Sequence, residues 1–212
     1  MRVVSVNVGL PIEVDHERKK VATGIFKSPV AGSVQVNQLG LSGDGQADLT
    51  VHGGVDKAVY AYSLDHYPYW RETLALPQLT HGQFGENLTI EGLYETKSCI
   101  GDHLEIGSAL FAITQPRQPC FKLGIRFGNP ALPAMFTKSL RTGFYLKVLR
   151  EGSLQSGDEV QLVQSGKGNV TVQEIFAAYF RPGTQESKSI YARAVDIPEL
   201  SDSWRRAIVS RL

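Results

Sequence analysis

The sequence is poor in sulfur, with two cysteines, Cys99 and Cys120, among 212 residues. One pair makes no disulfide framework for a chain this long, and the spacing fits neither a zinc site nor a thioredoxin motif. Thiols in a reducing cytoplasm are the expectation. An excess of either charge is also lacking: 22 basic side chains stand against 21 acidic ones, for a net charge of +1. That balance argues against a stable nucleic-acid partner, although a local basic patch remains compatible with it. No apolar run approaches a membrane span, and the N-terminus lacks a basic segment leading into a hydrophobic stretch and cleavage site. Neither a membrane nor a secretory route is expected.

Several catalytic signatures are missing as well. There is no Gly-x-Ser-x-Gly elbow, no His-Glu-x-x-His pair, no phosphate loop and no dinucleotide fingerprint. Repeats and low-complexity segments are also absent.

What is present points to short strands. Hydrophobic residues make up 42% of the chain, and 21 glycines and 10 prolines are spread along it, which suggests many turns. Val4, Val6 and Val8 alternate with more polar neighbours, as do Val34 and Val36, the period of a half-buried strand. Further strands are expected over 24–27, 88–90, 102–106 and 109–114, with 144–149 and 158–163 as a hairpin, and the apolar segment 58–62 is expected to be buried. Asp65 is expected to cap a short helix carrying Tyr69, Trp70 and Leu74. Asn129-Pro130 reads as a helix start, with Gly143 as the stop for a helix over 131–141. After a glycine-rich boundary near 165, Thr171-Val172-Gln173-Glu174 has the capping-box pattern. Helices follow over about 172–179, 187–194 and 199–211. The expected architecture is mainly β, with a barrel-like body over 1–165, a few peripheral helices, and a three-helix extension over 166–212.

Chemistry concentrates in a few strings. In Gln115-Pro116-Arg117-Gln118-Pro119-Cys120-Phe121-Lys122, two prolines stiffen the backbone and a thiol lies between two cations. That setting suits a nucleophile or a soft-metal ligand, while a buried, inert cysteine is the plainer alternative. Gly43-Asp44-Gly45 and His52-Gly53-Gly54-Val55-Asp56-Lys57 join permissive backbone to polar groups, as either ligand-wrapping loops or hydrated turns. Phe84-Gly85-Glu86-Asn87 places a carboxylate and an amide just before a strand. The histidines are scattered, and His52 beside two glycines is the one kept as a site candidate. Tyr60, Tyr62, Tyr67, Tyr69 and Trp70 fit core packing better than ligand stacking.

Taken in order, Gly24-Ile25-Phe26-Lys27-Ser28-Pro29-Val30, Gly43-Asp44 with Asp48, His52-Gly53-Gly54-x-Asp56-Lys57-Ala58, Phe84-Gly85-Glu86-Asn87-Leu88, Ile100-Gly101-Asp102 and Gln115-Pro116-Arg117-x-Pro119-Cys120-x-Lys122-Leu123 resemble the MOSC domain family. The similarity is to its bacterial YiiM-like branch, and it covers essentially the whole chain. It implies a β-barrel that binds the molybdenum cofactor, with Cys120 as the protein ligand to the metal. It also implies Arg117 as a phosphate or pterin contact, Lys27 and Ser28 as further contacts, and Asn87 as the asparagine near the pterin. Asp44, His52, Asp56 and Glu86 would bind pterin edges or act on substrate.

The activity implied is reduction of N-hydroxylated compounds such as hydroxylaminopurine base analogues. Electrons would come from a separate flavoprotein or ferredoxin-like donor, because no flavin, haem or iron-sulfur signature is present. A homodimer is the implied assembly. The alternative is a noncatalytic carrier or sensor that holds cofactor or sulfur on Cys120.

Overall fold

A computed structural model describes residues 1–47 and 53–212; Asp48 and His52 lie outside the described residues. In chain order the elements are β1 (Arg2–Val8), β2 (Ile12–His16), β3 (Lys19–Thr23), β4 (Ser28–Pro29), β5 (Val34–Asn37) and β6 (Gly40–Leu41). A 3-10 turn at Val55–Lys57 leads into β7 (Val59–Ser63), followed by α1 (Tyr67–Thr73), β8 (Leu88–Glu91), β9 (His103–Ile106) and β10 (Ala109–Pro116). Then come α2 (Phe121–Phe127), α3 (Leu132–Ser139), β11 (Phe144–Arg150), β12 (Gly152–Leu154) and β13 (Val160–Gln164). The chain ends with α4 (Val172–Phe180), α5 (Gln185–Ala194) and α6 (Asp202–Val209).

The fold is dominated by sheet. Eight strands run in the order β13-β9-β10-β11-β7-β8-β1-β4, beside a small sheet β12-β5-β6 and the separate β2-β3 hairpin. Every pairing in the large sheet is antiparallel except β7 with β8. The expected closed barrel is not seen as a continuous ladder among the described residues. The sheet instead curls until the start of the chain and β1 meet the beginning of β13 and the residues before it, through an Arg2–Glu159 bridge and the bonds Val3 N to Asp158 O (2.9 Å) and Val160 N to Met1 O (2.8 Å).

Local expectations meet mixed outcomes. A bulge between Val3 and Ser5 shifts the face of β1, so Val3 and Val6 are sealed in the core while Val4 is half-buried. Residues 24–27 form a loop rather than a strand. The expected hairpin of 144–149 with 158–163 does not form, because β11 pairs with β10 and β7 whereas β13 pairs with β9. Ser63, not Asp65, provides the cap before α1, accepting from Asp65 N. The β2-β3 hairpin turns at Glu17 and Arg18, both at positive φ (46° and 63°) without the usual glycine or asparagine, so its turn carried no local signal.

The C-terminal helices begin with the expected capping box: Thr171 Oγ1 accepts from Glu174 N at 3.1 Å, and Glu174 Oε2 accepts from Thr171 N at 2.7 Å. Two exposed donors are satisfied reciprocally. These helices share one apolar core with the sheet, in which Phe176, Trp204 and Ile208 join Ile113 and Phe111. Each such fully buried side chain contributes roughly 1.5–3 kcal/mol. Ser201 N bonds Thr114 O at 3.2 Å, tying the start of α6 to β10. A second, aromatic core holds Tyr60, Tyr62, Tyr67, Trp70, Phe84 and Phe136. It lies under the strand ends that carry the site.

Candidate functional site

β10 ends at Pro116, and the chain then turns through Arg117 and Cys120 into α2. Cys120 is the extended residue before the helix (φ −122°, ψ 172°) and is half-buried. The sequence reading missed α2, since a glycine in mid-helix lowers helix propensity. Tertiary packing explains the residue: a Cβ on Gly124 would lie 3.0 Å from Asn129 O and 3.3 Å from Pro130 Cα. The turn into α3 presses against α2 there.

Arg117, Cys120 and Lys122 open onto one cleft of about 580 Å3, counting its mouth. Lys27, Asp44, Lys57, Tyr60, Asn87 and Tyr145 also line it, as does Gln46. Among the described lining residues, four cations thus stand with a single carboxylate.

That carboxylate is already engaged. Asp44 takes the Lys27 ammonium, Gly9 N at 2.9 Å and Asn87 Nδ2 at 2.8 Å. Asn87 Oδ1 in turn accepts from Tyr60 N at 3.0 Å. The network pins five segments to one rim, and burial lowers the pKa of Lys27 against the opposing pull of Asp44. Arg117, Lys57 and Lys122 add further basic side chains to the cleft wall.

Arg117 is the most unusual group. Its side chain is 5% exposed, with the guanidinium over Tyr60 (4.9 Å to the ring centre) and Phe136 (5.5 Å). Burial alone would lower its pKa, but the Tyr60 and Tyr145 hydroxyls and the Cys120 sulfur outweigh that, so it stays cationic. Its Nη1 is nevertheless buried without a hydrogen-bond partner among the described residues. A buried donor left unmade costs about 1–3 kcal/mol, and more when charged. The atom is therefore suited to an acceptor that the described residues do not supply. Its backbone is fixed by Gly143 O, which accepts from Arg117 N at 3.3 Å, while Gly143 N donates to Glu95 Oε1 at 2.7 Å.

Three expected site residues lie away from the cleft. Glu86 is fully buried, and its carboxylate is consumed by Tyr67 Oη, Gly82 N (2.9 Å), Phe84 N (3.0 Å) and Thr89 Oγ1 (3.0 Å). Burial raises its pKa against the pull of those donors; it staples its own loop. Asp56 faces the helical extension, accepting from Asp202 N at 3.4 Å with Lys147 Nζ at 3.9 Å. Ser28 is exposed on the edge strand β4. Lys57 and Tyr145, not singled out from sequence, are cleft residues; Lys57 lay inside a quoted string, whereas nothing local marked Tyr145.

The cleft is thus lined by cations, carries one thiol in its wall and sits on a sheet-dominated fold. The chain belongs to the MOSC domain family. The MOSC domain profile matches residues 48–161, and the profile described as YiiM-like, 3-alpha helix domain matches 170–212. An uncharacterized protein, YflK of Bacillus subtilis, is 39% identical over 99% of this chain and 93% of its own. Protein YiiM of Escherichia coli is 35% identical over 89% of this chain and 84% of its own. A Gibberella moniliformis protein named Reductase is 35% identical over 68% of this chain, which is 26% of that longer protein. The crystal structure of YiiM from Geobacillus stearothermophilus superposes with a TM-score of 0.83 at 36% identity, covering 100% of this chain and 98% of its own. MOSC domains are associated with molybdenum-cofactor binding.

Proposed function

We propose that this protein is a molybdenum-cofactor-dependent reductase of N-hydroxylated compounds, of the hydroxylaminopurine type, with the cofactor held in the Arg117–Cys120 cleft. One observation carries the reading: a buried guanidinium nitrogen, without a partner among the described residues, on a residue that lines the same cleft as a cysteine. The chain's residues fit the group. Arg117 Nη1 lacks an acceptor of the kind a pterin phosphate offers, and Cys120 offers the soft sulfur that molybdenum takes. Among the described residues no three His, Cys, Asp or Glu side chains stand close enough to hold a metal. Cys120 would then be the protein's ligand, and the dithiolene sulfurs of the cofactor would supply others.

The cofactor, when bound, supplies a metal that exchanges two electrons and thereby allows N–O cleavage. The residues of the chain do the rest. Arg117, Lys57 and Lys122 bind negative charge, Tyr60 and Tyr145 wall the cleft, and the Lys27–Asp44–Asn87 network keeps the rim in place. The overall change is R–NHOH plus two electrons and two protons to R–NH2 and water, with electrons from a separate flavoprotein or ferredoxin-like donor. The cytoplasm, where both cysteines remain thiols, suits this chemistry. The fungal relative named Reductase supports the redox reading over a carrier that merely holds cofactor or sulfur.

The test is expression in a host that makes the cofactor, followed by molybdenum and pterin analysis of the wild type and Cys120→Ser. The variant is expected to lose most of its metal, and equal occupancy in both would remove Cys120 as ligand. Reduced dye with 6-hydroxylaminopurine then separates enzyme from carrier, since a carrier shows no substrate-dependent oxidation.

A further inference from the structure

Tyr60 and Tyr145 stand side by side across the β7–β11 register, with ring centres 5.4 Å apart, and both line the cleft. Their hydroxyls differ in one respect. Tyr60 Oη donates to Thr142 O at 2.8 Å, so its proton is committed. No described residue accepts the proton of Tyr145. We infer that the Tyr145 hydroxyl is the donor that hydrogen-bonds the N-hydroxyl oxygen of the bound substrate, an inference that rests on the reductase reading above.

The position of Tyr145 is fixed before any ligand arrives. Its carbonyl accepts from Thr114 Oγ1 at 3.1 Å, which locks that point of β11 to β10. Its hydroxyl is within electrostatic reach of both Arg117 and Cys120, the two residues assigned to cofactor binding. The neighbouring donors are cations and match phosphate. A phenol is the neutral donor, and it suits an uncharged N–O group. As the N–O bond lengthens and negative charge gathers on oxygen, a donor already in place stabilises it without reorganisation. No proton need leave the phenol for this role.

Tyr145→Phe removes the donor and keeps the ring. The variant is expected to match wild type in molybdenum and pterin content and in melting temperature, and to lose about 100- to 1,000-fold in kcat, the range for deleting a preorganised donor. A second arm is independent of turnover. Titration calorimetry compares 6-hydroxylaminopurine with adenine, which lacks the oxygen, on each purified oxidised protein. Wild type is expected to prefer the hydroxylated base, and Tyr145→Phe to lose that preference by weakening only the hydroxylated ligand. Absence of preference in wild type, or its survival in the variant, overturns the assignment. Parallel loss of cofactor and activity in the variant also overturns it, by making Tyr145 a cofactor contact. Absence of turnover in wild type defeats the reductase reading instead, and leaves the binding comparison to decide the role of Tyr145.

Discussion

Gly143 couples the fold to the cleft, and its replacement by alanine is the sharpest test of that coupling. The residue sits at φ +61°, and a Cβ there would lie 2.4 Å from Ala61 O, 2.8 Å from Tyr62 Cδ2 and 2.9 Å from Tyr60 Cε2. Left-handed backbone costs a non-glycine residue about 1–2 kcal/mol, and forcing a methyl into a packed site adds about 1–3 kcal/mol. The two together come to about 2–5 kcal/mol, which for a chain of this size lowers the melting temperature by on the order of 10 °C. The strain falls on a residue whose carbonyl holds Arg117 N and whose N–H is held by Glu95. Cofactor retention should therefore drop even at temperatures where the variant is folded. Thermal scanning with molybdenum analysis of the folded fraction measures both effects. A melting temperature within about 1 °C of wild type would show that the backbone relaxes freely there, and would refute the coupling.

Other residues make separate predictions. Lys27→Met leaves Asp44 buried without its cation, at a cost of about 3–5 kcal/mol in urea unfolding; addition of Asp44→Asn should recover part of the loss, and no recovery would argue against the pair. Cys120 is half-buried, whereas the Cys99 thiol is buried and pushed up to about 11 by that burial with help from Asp102. Iodoacetamide at pH 8 should therefore label Cys120 first by mass spectrometry, and the reverse order would contradict the structure. Burial pushes the Glu174 carboxyl up, but the Thr171 N–H and hydroxyl and Arg193 bring it net below the ordinary value of 4.5. Its stabilisation is present above that ordinary value and is lost as pH falls through the lower folded value. Wild type should consequently lose melting temperature more steeply below about pH 4.5 than Glu174→Gln, and parallel acid limbs would rule out the capping contribution.

The helical extension was legible because its signals are local. Thr171 and Glu174 are three residues apart, and the bonds they form need nothing else in the chain. The strands with clean alternation, such as Val34 and Val36, were legible for the same reason. The face of β1 was not, because the bulge after Val3 depends on its pairing with β8, 82 residues away at the Asn7–Thr89 contact. The supposed hairpin after 144 failed similarly, since two neighbouring strand patterns do not reveal that each has a better partner elsewhere.

The same division runs through the cleft. The sequence by itself determined the MOSC-like order of motifs, the nearness of Arg117 to Cys120 along the chain, and the chemical types available to a ligand. Only the tertiary structure decided which way each polar group points. Glu86 and Asn87 are adjacent in one motif, yet Glu86 is spent on Tyr67 and its own loop while Asn87 turns to Asp44 at the cleft rim. Tyr145 carried no local signal because its place beside Tyr60 and Arg117 is set by pairing between strands. Hydrogen-bond satisfaction is a property of surroundings assembled from distant segments, so composition and spacing can name a donor without revealing whether it has already been used.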